Sequence, residues 1–179
     1  MTELMQQYPG RVLIESVTHV TDTTTADITD LISEINIHSS MNIDSTFGEL
    51  LVIDHINYYT KAKLIAGDGV IIKISHNDVR TTYNFKIRSI NDMNNVESGC
   101  TYTLRLVSEL AYNSYFRKIS QSYNGTPSDI AGIIFSENTE EKFNIWETST
   151  GIEQVVIPMW SPLKAIEWLA SRSVSASTP

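Results

Sequence analysis

The residues able to do chemistry are scattered. His19, His38, His55 and His76 lie far apart, with no His-x-x-x-His or Glu-x-x-His spacing for a metal ion. Asp54 and His55 are adjacent, but neighbours on a strand point to opposite faces and cannot form one proton-transfer pair. Glu137, Glu140 and Glu141, with Asn138 and Thr139 between them, read as the solvated exit of a helix, since nothing fixes a glycosidase-type separation. Gly67-Asp68-Gly69 is too short to cradle a phosphate and reads as a reversal. Neither a Gly-x-Ser-x-Gly elbow nor a Gly-x-x-x-x-Gly-Lys loop occurs. Cys100 is the only cysteine, which excludes an internal disulfide, and beside Gly99 it reads as a small buried hydrophobe. Trp146, Trp160 and Trp168 could form a platform for a sugar or base, yet their places beside helix starts favour core packing. The residues themselves therefore assign no catalytic, cofactor or metal site.

The elements around these residues are mostly strands. Residues 11–22 are rich in β-branched side chains and predict a long strand, followed by a Thr21–Thr25 turn. Leu31, Ile35 and Ile37 alternate with Glu34 and Asn36, with Ser33 breaking the row. Asn42–Gly48 reads as a polar loop, and Glu49–Asp54, apolar on both faces, as a central strand. Ile56–Leu64 is either a short helix or an irregular turn. Val70, Ile72 and Ile74 form the next alternating row, closed by a turn at His76-Asn77-Asp78. Tyr83, Phe85 and Ile87 follow, then a polar loop over Asn91–Gly99, then Tyr102, Leu104 and Leu106. Recurring strands without a long helical pattern predict an antiparallel sheet closed into a small barrel.

After Val107 the pattern changes, and Ser108–Tyr112 suggests one or two helical turns. Thr126 is placed as an N-cap, with Pro127 at the first helical position and Asp129 at the third. Ile130, Ile133 and Ile134 would form that helix's apolar stripe. Phe143–Trp146 and Gln154–Ile157 read as short strands. Ser161-Pro162 starts a last helix in the same way, with Leu163, Ile166, Leu169 and Ala170 on one face, widened by Ala165 and Trp168. Trp160, just before the cap, would staple the incoming strand, between the stiffening Pro158 and Pro162. The organisation expected is an N-terminal arm at 1–10, a β-barrel domain at 11–110, an incomplete α+β domain at 111–172 and a polar tail at 173–179.

Composition narrows the classes. With 41% hydrophobic and 19% charged residues, the 179-residue chain is that of a globular protein. The start, Met1 to Pro9, has neither a basic region nor an apolar core, and no run is long enough to span a bilayer, so a soluble protein made in a cytoplasm is expected. The net charge is -8, and pairs such as Lys61/Lys63, Lys86/Arg88 and Arg117/Lys118 are dispersed. Tight binding of nucleic acid needs clustered cations, which this chain does not offer.

Several runs together resemble one family. Ile119–Ile130 (ISQSYNGTPSDI) and Val155–Leu169 (VVIPMWSPLKAIEWL) are similar to the baseplate hub proteins of contractile phage tails. Ile32–Ile37, Gly48–Asp54 and Tyr102–Glu109 resemble that family's first β-domain, in the same order. The resemblance covers most of residues 11–172. It implies a non-enzymatic virion protein of the tail baseplate, assembled in the host cytoplasm. It also implies a mainly β fold: a tube-forming barrel followed by the opening of an inserted α/β domain. Three subunits, each with two tube barrels, would then mimic a sixfold tail tube. The expected partners are two further copies of the chain, the central spike, the tail tube and the wedge proteins, with no small-molecule substrate. DNA would pass through the lumen unbound, which suits an acidic chain without basic stripes. On this resemblance the given residues would hold only the first tube barrel and could not complete the pseudo-sixfold geometry alone. Asp22–Thr25, Asn42–Thr46 and Asn91–Ser98 are the candidate docking loops. Two alternatives remain: a cell-wall hydrolase using Asp54, Glu137 or Glu141, and the equivalent hub of a bacterial injection machine.

Overall fold

A computed structural model describes residues 12–40, 45–76, 79–96, 99–139 and 142–177. The protein is mainly β, with a few helices, and divides into two compact units between Glu109 and Leu110. The expected arm at 1–10 and the tail's Thr178 and Pro179 lie outside the described residues.

The first unit is a curled antiparallel sheet, a half-barrel of seven strands. These are β1 (Leu13–Val20), β2 (Thr25–Asp27), β3 (Ile32–His38), β4 (Phe47–Asp54), β5 (Gly69–His76), β6 (Val79–Val96) and β7 (Gly99–Ser108). Their order across the sheet is β2-β1-β5-β6-β7-β4-β3. Strands β2 and β3 occupy opposite edges, yet only Ile28 to Leu31 separate them, in a turn of 3-10 helix. Seven flat strands would be about 29 Å wide, whereas that link reaches at most about 18 Å. The sheet must therefore curl. Both edge strands run the same way, so they are two stretches of one path that leaves β1 and joins β4.

Alternation sets the inside. Val17, Leu50, Val52, Val70, Ile72, Phe85, Ile87, Tyr102, Leu104 and Leu106 are all buried, and Ile28 and Leu31 from the 3-10 turn cap them. Each such side chain removed from water contributes roughly 1.5–3 kcal/mol. Ser33, which broke the row in the sequence, is the extra residue of a β-bulge between Ile32 and Glu34. The bulge resets the phase, so Ile32, Ile35 and Ile37 all pack on the core.

Two expected loops are corrected. Phe47 and Gly48 belong to β4, while residues 41–44 lie outside the described set. Asn91–Val96 continues β6, and Gly99 begins β7. Here β6 pairs with β7 through bulges at Ile87/Ser89 and Asn91/Asn94, with Asp92 at φ 54°. Backbone pairing, not side-chain burial, extends the strand through this polar run.

The second unit packs helices on one face of a two-stranded ribbon. Helix α2 (Glu109–Phe116) leads into β8 (Ile119–Gly125), α3 (Pro127–Asn138), β9 (Ser149–Thr150), β10 (Glu153–Trp160), α4 (Pro162–Arg172) and β11 (Val174–Ser175). Strands β8 and β10 are antiparallel, with Met159 (φ 55°) as the bulged residue between Pro158 and Trp160. Ile119, Tyr123, Ile130, Ala131, Ile134, Val155, Ile157, Ala165 and Leu169 form the core.

The α3 start is as expected: Thr126 Oγ1 accepts the Asp129 N–H at 3.2 Å and Pro127 opens the helix. Ser161 makes no such side-chain cap bond, although Pro162 does open α4. The apolar stripes shift. Ile133 is 43% exposed while Ile130 and Ile134 are fully buried, and α4 turns Ala165 and Leu169 inward with Ala170 outside. Trp160 packs edge-on against Trp168 at 5.6 Å, beneath Lys164. Phe143–Trp146 is not a strand, because no ladder partner lies beside it among the described residues. The expected polar tail instead begins with β11, which pairs with β9.

Candidate functional site

In the sheet unit, the polar groups gather where β4 ends. Asp54 is fully buried. Its Oδ1 accepts the N–H groups of Ile56 (3.2 Å) and Tyr58 (2.8 Å), and its Oδ2 accepts that of Tyr59 (2.8 Å). Those of Tyr58 and Tyr59 are orphan donors at the start of α1 (Tyr58–Ala62), a helix whose own N-cap, Asn57, sits at φ 58° and makes no side-chain cap bond, while that of Ile56 belongs to the turn leading into it. The Cys100 thiol lies 3.9 Å from the same carboxylate. Burial, and then the Asp54 charge, pushes that thiol up, which keeps it protonated and inert. His55 points out, so the neighbouring pair is split between faces.

Tyr58 links this anchor to a second one. His19 on β1 is buried, with Nδ1 2.9 Å from the Tyr58 hydroxyl and Nε2 3.1 Å from Asp68 Oδ2. A carboxylate only accepts, so in the neutral imidazole Nε2 carries the proton and Nδ1 accepts from Tyr58. Asp68 Oδ2 also takes the Ile65 N–H at 3.1 Å. Carboxylate, imidazole and hydroxyl thus stand in the order of a nucleophilic relay. The chemistry is otherwise: burial, with the Asp68 charge behind it, raises the Tyr58 hydroxyl above its ordinary range and favours the phenol over the phenolate. The arrangement ties β1, α1 and the Gly67-Asp68-Gly69 reversal together.

Of the other sequence candidates, Glu137 is exposed in the last turn of α3, and Glu140 and Glu141 lie outside the described residues. His38 and His76 are exposed and distant in the sheet order from each other. Among the described residues, no group of three or more His, Cys, Asp or Glu side chains is placed to hold a metal ion. No described helix is long and apolar enough to cross a membrane. The pairing of His19 with Asp68, 49 residues on, was missed in the sequence because no local pattern signals it.

The remaining surface of interest is strand edge. β2 pairs only with Thr18–Val20, so among the described residues Leu13–Ser16 has a neighbour on the β5 side alone. Val12, Leu13 and Ile14 are 54%, 37% and 48% exposed there. Apolar edge strands with open backbone groups are templates for pairing. β3 pairs with β4 and presents Ser33, Glu34, Asn36 and His38 to solvent. The Asp22–Thr25 docking candidate is a turn closed by Thr21 N–H to Thr24 O at 2.8 Å. Of Asn42–Thr46, the Thr46 carbonyl accepts the Ser108 N–H, and Asn91–Val96 is strand.

Comparison of the chain with protein-family models and with curated proteins finds no match.

Proposed function

We propose that this chain is a structural component of a contractile phage tail baseplate: the N-terminal part of a hub that joins the central spike to the tail tube. The observation that carries the reading is the curled seven-stranded sheet over residues 13–108, at the place in the chain where the hub resemblance puts a tube-forming barrel. The polar groups best placed for chemistry support it further. Asp54 is occupied by three backbone N–H groups, and in the Asp68–His19–Tyr58 chain both ring nitrogens of His19 are engaged. On this reading the protein catalyses no reaction. The unit after Leu110 is the opening of the inserted α/β domain, and the open apolar edge at Leu13–Ser16 serves contacts between neighbours. Three copies would surround a lumen through which DNA passes without specific contacts, consistent with the net charge of -8.

The test is the mass of the purified chain, followed by cosedimentation with tube and spike proteins. The proposal expects a trimer, or association that yields one, and binding to the end of the tube. A stable monomer that ignores both partners would overturn it, and so would peptidoglycan turnover abolished by Asp54→Ala or Glu137→Ala.

A further inference from the structure

Between α3 and β9, Lys142–Glu147 carries three apolar side chains, two of them partly covered and one, Trp146, bare. Phe143, Ile145 and Trp146 are 38%, 43% and 99% exposed, and among the described residues only Phe143 of the three has an aromatic neighbour, Phe135 at 4.7 Å. Trp146 stands on the rim of an apolar groove of about 270 Å³, walled by Pro127, Ala131, Ile166 and Ala170 together with Phe143 and Ile145 of its own segment. Because a cavity of about 150 Å³ already accepts benzene, this groove has room for an indole. A tryptophan so exposed is the kind of side chain that anchors an interface by filling a pocket.

Charge brackets the apolar run. Lys142 stands at one end and Glu147 at the other, both exposed. Hydrogen bonds from Ser175 and Ser177 hold the Glu147 carboxyl below its ordinary range, so it stays ionised near neutral pH. A knob beside a hole, flanked by opposite charges, is self-complementary about a two-fold axis. Two such segments lying antiparallel bring each Trp146 towards the other copy's groove and each Lys142 towards the partner's Glu147.

We infer that Lys142–Glu147 is a two-fold docking site for a second copy of this chain, with Trp146 seated in the opposite groove. The contact doubles whatever unit the sheet edges build, whether monomer or trimer, and does not depend on the hub reading.

Sedimentation equilibrium of the full chain over a range of concentrations tests it. The expected result is a reversible doubling of mass, weakened at least about tenfold in Kd by Trp146→Ser, a change at a side chain that contributes almost nothing to the folded core. Lys142→Glu alone should weaken it similarly, and the double variant Lys142→Glu/Glu147→Lys should recover much of the loss. Absence of doubling, or doubling indifferent to Trp146→Ser, would overturn the inference. So would a double variant no better than its parents, or a Trp146 shielded from iodide at constant mass, which means that it fills its own groove. A trimer that persists in Trp146→Ser but never doubles would sink this site and leave the hub proposal standing.

Discussion

Residues 12–109 and 110–177 differ in where their largest polar and apolar groups lie. The sheet unit draws polar side chains inside and satisfies them: Asp54 with three N–H groups, His19 with a phenol and a carboxylate. The helix-and-ribbon unit leaves apolar ones outside, with Tyr115, Phe116, Trp146, Ile152, Val156 and Met159 all at least 64% exposed. The first arrangement fixes a backbone that curls tightly. The second leaves apolar side chains at its surface. On the proposed reading, the first unit holds its own shape and the second offers apolar side chains to neighbours.

The contrast can be broken residue by residue, because all three tryptophans lie after Leu110. Their emission follows the second unit alone, whereas strand circular dichroism is dominated by the first. Asp54→Ala removes the buried acceptor of three part-buried N–H groups and should cost about 3 kcal/mol. In urea its dichroism midpoint should fall sharply while the tryptophan transition stays near the wild-type value. Gly99→Ala comes next, at about 3 kcal/mol: a Cβ there would sit 2.1 Å from the Asp54 carbonyl oxygen, at φ +147°. It too should act on the dichroism transition only.

Alkaline pH sharpens the same comparison. Burial, with the Asp54 charge behind it, lifts the Tyr102 hydroxyl well above the ordinary tyrosine range, and Tyr58 and Cys100 shift the same way. The unfolded chain therefore loses these protons first. Stability is fully present below the unfolded values, near pH 9–10, and falls as pH rises through them, by up to about 1.4 kcal/mol per pH unit for each group. Urea midpoints between pH 8 and 11 should drop, and Tyr102→Phe should flatten the drop. The smallest effect separates two similar helix starts. Thr126→Ala should cost about 1 kcal/mol in the tryptophan transition, and Ser161→Ala, with no cap bond to lose, within about 0.5 kcal/mol of nothing.

Much of the sheet was legible because its rows obey period two: Val70/Ile72, Phe85/Ile87 and Tyr102/Leu104/Leu106 are buried as their alternation requires. What escaped reading depends on partners distant in the chain. Asn91–Val96 looks like loop, since its polar side chains say nothing of the backbone pairing to β7. β8, with Ser120, Gln121, Ser122 and Asn124 exposed, lacks an apolar row and was not read as a strand. Phe143–Trp146 failed in the opposite sense, having strand-like side chains and no ladder to join. Asp54 and His19 were visible as residues, but their roles were not, because a carboxylate's function depends on which N–H groups the fold brings to it.

On the proposed reading this chain works by shape and neighbours at the junction of tube and spike. An electron-microscopy reconstruction of the intact tail assembly tests it most directly. The account predicts three copies of the curled sheet of residues 13–108 around the channel, between the tube above and the spike below. Density for that sheet elsewhere, or a single copy bound to cell-wall glycan, would contradict it.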